Sequence, residues 1–149
     1  MIHSHIRVWI HLVWSTKNHQ KIFDNKIRQE LASYLINKAK KESVPFISLN
    51  IQPEHVHGLI NLPSDICLAN FMQKIKGESS FWFNQEIRKS YKTIKNKFAW
   101  QRGYGAYSVS ASQLDIIKNY IRNQDSHHKQ TSFMEEYDKW KIEYGFIDD

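Results

Sequence analysis

The 149-residue chain carries 21 Lys and Arg against 15 Asp and Glu, giving a formal charge of +6 and a pI near 9.4. With 41% hydrophobic and 24% charged residues, a single domain over 1–149 is expected, and an intrinsically disordered chain is excluded. Cys67 stands alone, which excludes an internal disulfide and any multi-cysteine zinc site; no apolar run reaches a membrane-spanning length and no secretory leader is legible, so a cytoplasmic protein is expected.

In chain order, Ile6, Val8, Ile10, Leu12 and Trp14 alternate with polar or mixed residues, the period of a strand. After a polar loop, Asp24 is placed to cap a helix, and Ile27, Leu31, Tyr34, Leu35 and Ala39 recur at helical spacing. Residues 46–52 and 55–62 read as a hairpin of two strands broken at Pro53-Glu54. Pro63-Ser64-Asp65 is expected to open a second helix, with Leu68, Phe71, Met72 and Ile75 on its apolar face. Residues 84–97 read as a loop or frayed helix end, and short strands are expected at 98–101 and 106–110. Ser110 and Gln113 have capping-box spacing ahead of a third helix, through Leu114, Ile117 and Ile121, to about His128; a last helix follows Thr131 or Ser132. The order predicts an α+β fold: a ferredoxin-like antiparallel sheet with helices packed on one face, and final helices left either to cover part of the other face or to reach a partner.

Three constellations point to chemistry. His55 and His57 are two apart on a strand, so they share a face with α carbons roughly 6.5–7 Å apart, close enough to share one metal ion. Two ordinary surface histidines fit the same spacing, and His11 is expected to share their face as a satisfied sheet histidine. Tyr120 and Gln124, four apart on a helix, lie on one side of it. A tyrosine there is a nucleophile if a cation polarises the phosphate it attacks, with the Gln124 carbonyl as a further metal ligand; a half-buried tyrosine beside a capping amide is the plain alternative. Residues 71–102 carry eight Lys and Arg against two Glu, interleaved with aromatics, a pattern suited to single-stranded nucleic acid or simply to a solvated surface. His127 and His128 fit the C-terminal end of a helix dipole.

Taken together, HLVWSTKN (11–18), QPEHVHGLINLP (52–63), the IKGESS run (75–80), WQRGYGAYSVS (100–110) and YIRNQDSHH (120–128) resemble the single-tyrosine, His-hydrophobe-His (HUH) transposases of bacterial insertion sequences, in the superfamily of the REP-associated tyrosine transposases. The resemblance spans about residues 5–145 and is closer to the insertion-sequence branch. It implies a tyrosine nucleophile at Tyr120 and a Mg²⁺ or Mn²⁺ ion held by His55, His57 and Gln124. It also implies a homodimer whose active sites are completed in trans, acting on single-stranded DNA with hairpin ends. DNA contacts are expected from Lys74, Lys76, Arg88, Lys89 and Arg102. A non-catalytic binding module or domesticated relic of the same fold, and a replication nickase with the same chemistry, are the competing readings.

Overall fold

The computed structural model describes residues 4–123. Four strands form one antiparallel sheet in the order β2-β3-β1-β4: β1 (Trp9–Ser15), β2 (Phe46–Ile51), β3 (His55–Asn61) and β4 (Gly105–Val109). Helices α1 (Asn25–Lys41) and α2 (Leu68–Trp82) cross over between strands, as a split strand–helix–strand topology requires. A π-helical stretch (Phe83–Ile87) and the short α3 (Arg88–Ser90) prolong α2, and α4 (Leu114–Arg122) follows β4.

Alternation along the strands sorts the side chains onto two faces. Ile10, Leu12 and Trp14 of β1 and Val56 and Ile60 of β3 face the helix layer, where they meet Ile27, Leu31, Leu35 and Ala39 of α1 and Phe71, Met72 and Ile75 of α2. Full burial of one such Leu or Ile is worth about 1.5–3 kcal/mol, so this layer supplies most of the apolar stabilisation. The opposite face carries His11, His55, His57 and Leu59, and α4 packs over it: Ile117 and Tyr120 lie against Leu59, Val109 and Ile121. Helices α1 and α2 thus pack on one face, and α4 covers part of the other.

The Asp24 carboxylate caps α1, accepting from the Ile27 N–H at 2.9 Å. Four local expectations are corrected. The first strand begins at Trp9, because Ile6 and Val8 have no sheet to pack on and stay exposed. The second helix begins at Leu68, not at Pro63–Asp65, and Ser110 makes no capping bond to the helix that follows it, its hydroxyl instead meeting that of Ser112 at 3.1 Å. Residues 98–101 form no strand, only a single bridge from Trp100 to Thr16. The backbone of Phe98 is held by a side chain of the widened helix: Asn84 Oδ1 accepts from the Phe98 N–H at 2.8 Å, and its Nδ2 donates to the Phe98 carbonyl at 3.0 Å. An amide that satisfies both backbone groups removes the need for a partner strand. Of Phe81, Trp82 and Phe83, it is Phe83 that enters the core, among Phe23 and Phe98, while Phe81 is 69% exposed.

Candidate nucleic-acid-processing site

The site is built on β3 and begins at its sharp entry turn. Main-chain bonds from Ile22 N–H to the Pro53 carbonyl (2.9 Å) and from Thr16 N–H to the Glu54 carbonyl (2.8 Å) fix that turn. His55 then pairs with Ser15, and His57 with Val13 on one side and Asn50 on the other, placing both imidazoles on the face opposite α1 and α2. Both are completely buried, so they are not ordinary surface histidines. Their Nε2 atoms stand 3.0 Å apart.

Each ring is oriented through its other nitrogen. His55 Nδ1 lies 2.6 Å from the Glu54 carboxylate, and His57 Nδ1 lies 3.0 Å from His11 Nε2. The His11 and His57 rings stack at 5.3 Å, and burial lowers the His11 pKa to about 4. His11 is therefore neutral near pH 7 and offers His57 Nδ1–H an acceptor, while Glu54 accepts from His55 Nδ1–H. In those tautomers both Nε2 lone pairs converge. Two imidazole nitrogens each about 2.1 Å from one cation and at right angles to each other are about 3 Å apart, so this donor set fits a shared divalent ion. Among the described residues, no group of three or more His, Cys, Asp or Glu side chains is arranged to hold a metal.

Tyr120 reaches this pair from α4. Ile121 is buried against the sheet, which turns half-buried Tyr120 inward, with its ring centroid 6.0 Å from that of His57 and 6.3 Å from that of His11, both edge-on. Tyr107 of β4 closes another side, 6.2 Å from His11. Its ring lies over Gly105, where an added Cβ would come within 2.6 Å of the Tyr107 oxygen. Gln124, His127, His128 and the expected last helix lie outside the described residues.

The five cationic side chains expected to meet DNA do not gather at the histidines. Lys74 pairs with Glu42 at 3.1 Å. Lys76, its pKa lowered by burial, donates to the carbonyls of Gln101 (2.9 Å) and Gly103 (2.5 Å) and so fastens the loop before β4. Arg88 donates to the Lys95 carbonyl at 3.0 Å and Lys89 to Gln85 at 3.3 Å, while Arg102 is exposed. The sequence reading passed over Glu54 and Tyr107. Strict alternation puts Glu54 on the face opposite His55; the entry turn breaks that alternation. Tyr107 carried a signal only through its register with His11, which pairing alone reveals.

Compared with known proteins, residues 4–124 match the family model described as "Transposase IS200 like". The chain belongs to the IS200-like transposase family. Relatives in this family include the transposase of insertion sequence element IS200 from Salmonella typhimurium, 23% identical over 124 residues that cover 83% of this chain and 81% of that protein. The ISDra2 transposase TnpA of Deinococcus radiodurans is 24% identical over 118 residues, covering 76% and 81%. Two solved structures share the fold. A candidate transposase from Deinococcus radiodurans superposes with a TM-score of 0.64 at 22% identity, covering 83% of this chain and 95% of its own. A REP-associated tyrosine transposase bound to a REP hairpin gives 0.63 at 14% identity, covering 88% and 74%. Among the described residues, no helix is long and apolar enough to cross a membrane.

Proposed function

We propose that this transposase cleaves and rejoins single-stranded DNA at the ends of an insertion sequence, through a covalent bond between Tyr120 and a 5′ phosphate. The observation that carries the reading is the approach of the Tyr120 ring, at 6.0 Å, to a histidine pair whose Nε2 atoms converge at 3.0 Å. His55, His57 and Gln124 are the residues that would hold Mg²⁺ or Mn²⁺. When bound, that cation supplies Lewis-acid polarisation of the scissile phosphodiester.

The phenolic oxygen of Tyr120 attacks phosphorus, giving up its proton to solvent, and the bond to the 3′ oxygen breaks. That oxygen takes a proton and leaves as a free 3′-OH, with the 5′ phosphate on Tyr120. The phosphotyrosine retains the energy of the diester, so attack by another 3′-OH reverses the step without ATP. Each chain brings one such tyrosine, so joining two cut ends calls for two copies acting together, which supports a homodimer. The hairpin held by the REP-associated relative supports a substrate with folded ends.

The test is a denaturing gel of the protein mixed with single-stranded oligonucleotides copied from the DNA that flanks its gene. A covalent adduct is expected with Mg²⁺ or Mn²⁺, and none with EDTA or with Tyr120→Phe. An adduct that survives Tyr120→Phe gives the nucleophile to another residue; binding without any adduct favours the non-catalytic module.

A further inference from the structure

A second cationic feature lies away from the histidine pair, in a cleft between the loop that follows β1 and the segment that leads to Trp100. The cleft has a volume of about 500 Å³, within the range of about 300–1,000 Å³ typical of small-ligand sites. Lys17 and Lys21 stand on one wall, Lys95 and Lys97 on the other. All four are exposed, and among the described residues none forms an ion pair, in contrast to Lys74 and Lys38. Four like charges around one opening make it electropositive and favour an anion there.

The rest of the lining is not that of a simple phosphate hole. Asn18, Gln20 and Asn96 bring amides that can both donate and accept, and half-buried Ile22 and Ile94 supply an apolar surface. Cations for phosphate, amides for a base edge and an apolar surface for a base face are together the requirements of an unpaired nucleotide. The walls are tied in place. Lys17 N–H bonds the Ala99 carbonyl at 3.0 Å, joining one wall to the other, and Asn18 N–H bonds the Gln101 side chain at 3.0 Å. Asn18 and His19 hold the left-handed conformation (φ 58° and 53°) that folds this loop back on itself. The bond from Ile22 N–H to the Pro53 carbonyl anchors the same loop to the turn that carries Glu54 into His55. The cleft and the histidine pair therefore share one rigid corner of the sheet.

We propose that this cleft is a second subsite, which holds an unpaired nucleotide and its flanking phosphates on the single strand that runs past the histidine pair. The placement rests on the single-stranded substrate proposed above; the binding does not depend on Tyr120 or on a cation.

The test is fluorescence anisotropy of the full chain in EDTA, at several salt concentrations, with a labelled oligothymidylate of about twelve nucleotides and a blunt duplex of the same length. Lys21→Ala/Lys97→Ala should weaken oligothymidylate binding about tenfold and reduce the salt slope by about 1–2, leaving duplex binding within about twofold. The milder Lys21→Gln/Lys97→Gln should lose as much with an unchanged melting temperature. Lys40→Ala/Lys41→Ala, which removes the same charge from exposed positions on α1, should leave binding within about twofold. Wild-type affinity in the cleft variants, or an equal loss in the α1 control, overturns the proposal. An absent covalent adduct beside cleft-dependent binding overturns the phosphoryl-transfer reading and leaves the cleft standing.

Discussion

At the residue scale, the histidine pair depends on two groups that never touch a shared ion. Glu54 and His11 set which nitrogen of each imidazole faces the other ring, and without them either ring can rotate or take the other tautomer. Glu54→Gln keeps the shape but replaces the charged acceptor at 2.6 Å from His55 Nδ1. It should lower the affinity for Mn²⁺ by about 10–100-fold, read by titration of the ion against adduct formation, with oligonucleotide binding in EDTA unchanged. Equal Mn²⁺ affinity in Glu54→Gln would mean that His55 is oriented by packing alone. His55→Ala or His57→Ala should abolish adduct formation while leaving much of the DNA affinity, because the cationic side chains lie elsewhere. Wild-type cleavage by either variant would remove the histidines from the site.

At the scale of elements, the sheet holds the site only while its other face stays packed. Gly58 shows how tightly. A Cβ there would stand 2.7 Å from the Phe46 ring, which lies across β3 on its way to Phe71. Gly58→Ala should therefore cost about 1–3 kcal/mol in urea denaturation, because an aromatic ring in a packed layer must move; an unchanged midpoint would show that Phe46 has room to turn aside. Helices α1 and α2 are also joined through charge: Lys38 pairs with Glu78 and, at 3.0 Å, with Glu42, which also holds Lys74. The bond from Lys38, then that from Lys74, lowers the Glu42 pKa below its usual value of 4.5. A carboxylate with a lowered folded-state pKa stabilises the fold at pH above its unfolded value, and that contribution is lost as pH falls through the folded value. The melting temperature of the wild type should accordingly fall more than that of Glu42→Gln below about pH 4.5. The difference near pH 7 should be under about 1 kcal/mol and shrink in high salt, because the pairs lie near the surface.

At the scale of the whole molecule, the α+β order, the hairpin and the face shared by His55 and His57 were legible because strand alternation and helical spacing are local properties. So were Ile117 and Ile121 as apolar positions of the helix that carries Tyr120, although of the two only Ile121 is fully buried. The segment 98–101 was not legible as a loop: its residues favour a strand, but the Asn84 amide, 14 residues earlier, takes up both backbone groups of Phe98, and only a single bridge ties the rest to the end of β1. The lysines and arginines show the same limit. Composition identified a cationic stretch, but which charges are spent on carboxylates and carbonyls depends on what folds against them. Lys76 is drawn onto the loop before β4, and Lys17 and Lys21, outside that stretch, join Lys95 and Lys97 across a cleft. By itself the sequence determined the fold class, the face shared by the two histidines and the family the chain resembles, since alternation, helical spacing and short motifs are local; the roles of Tyr120 and of the histidines came only with that resemblance. Only the tertiary structure decided that the histidines are buried with converging Nε2 atoms, that His11 and Glu54 orient them, and that α4 brings Tyr120 to them. Those are contacts between strands and helices far apart in the chain, where register and packing, not spacing, choose the neighbours.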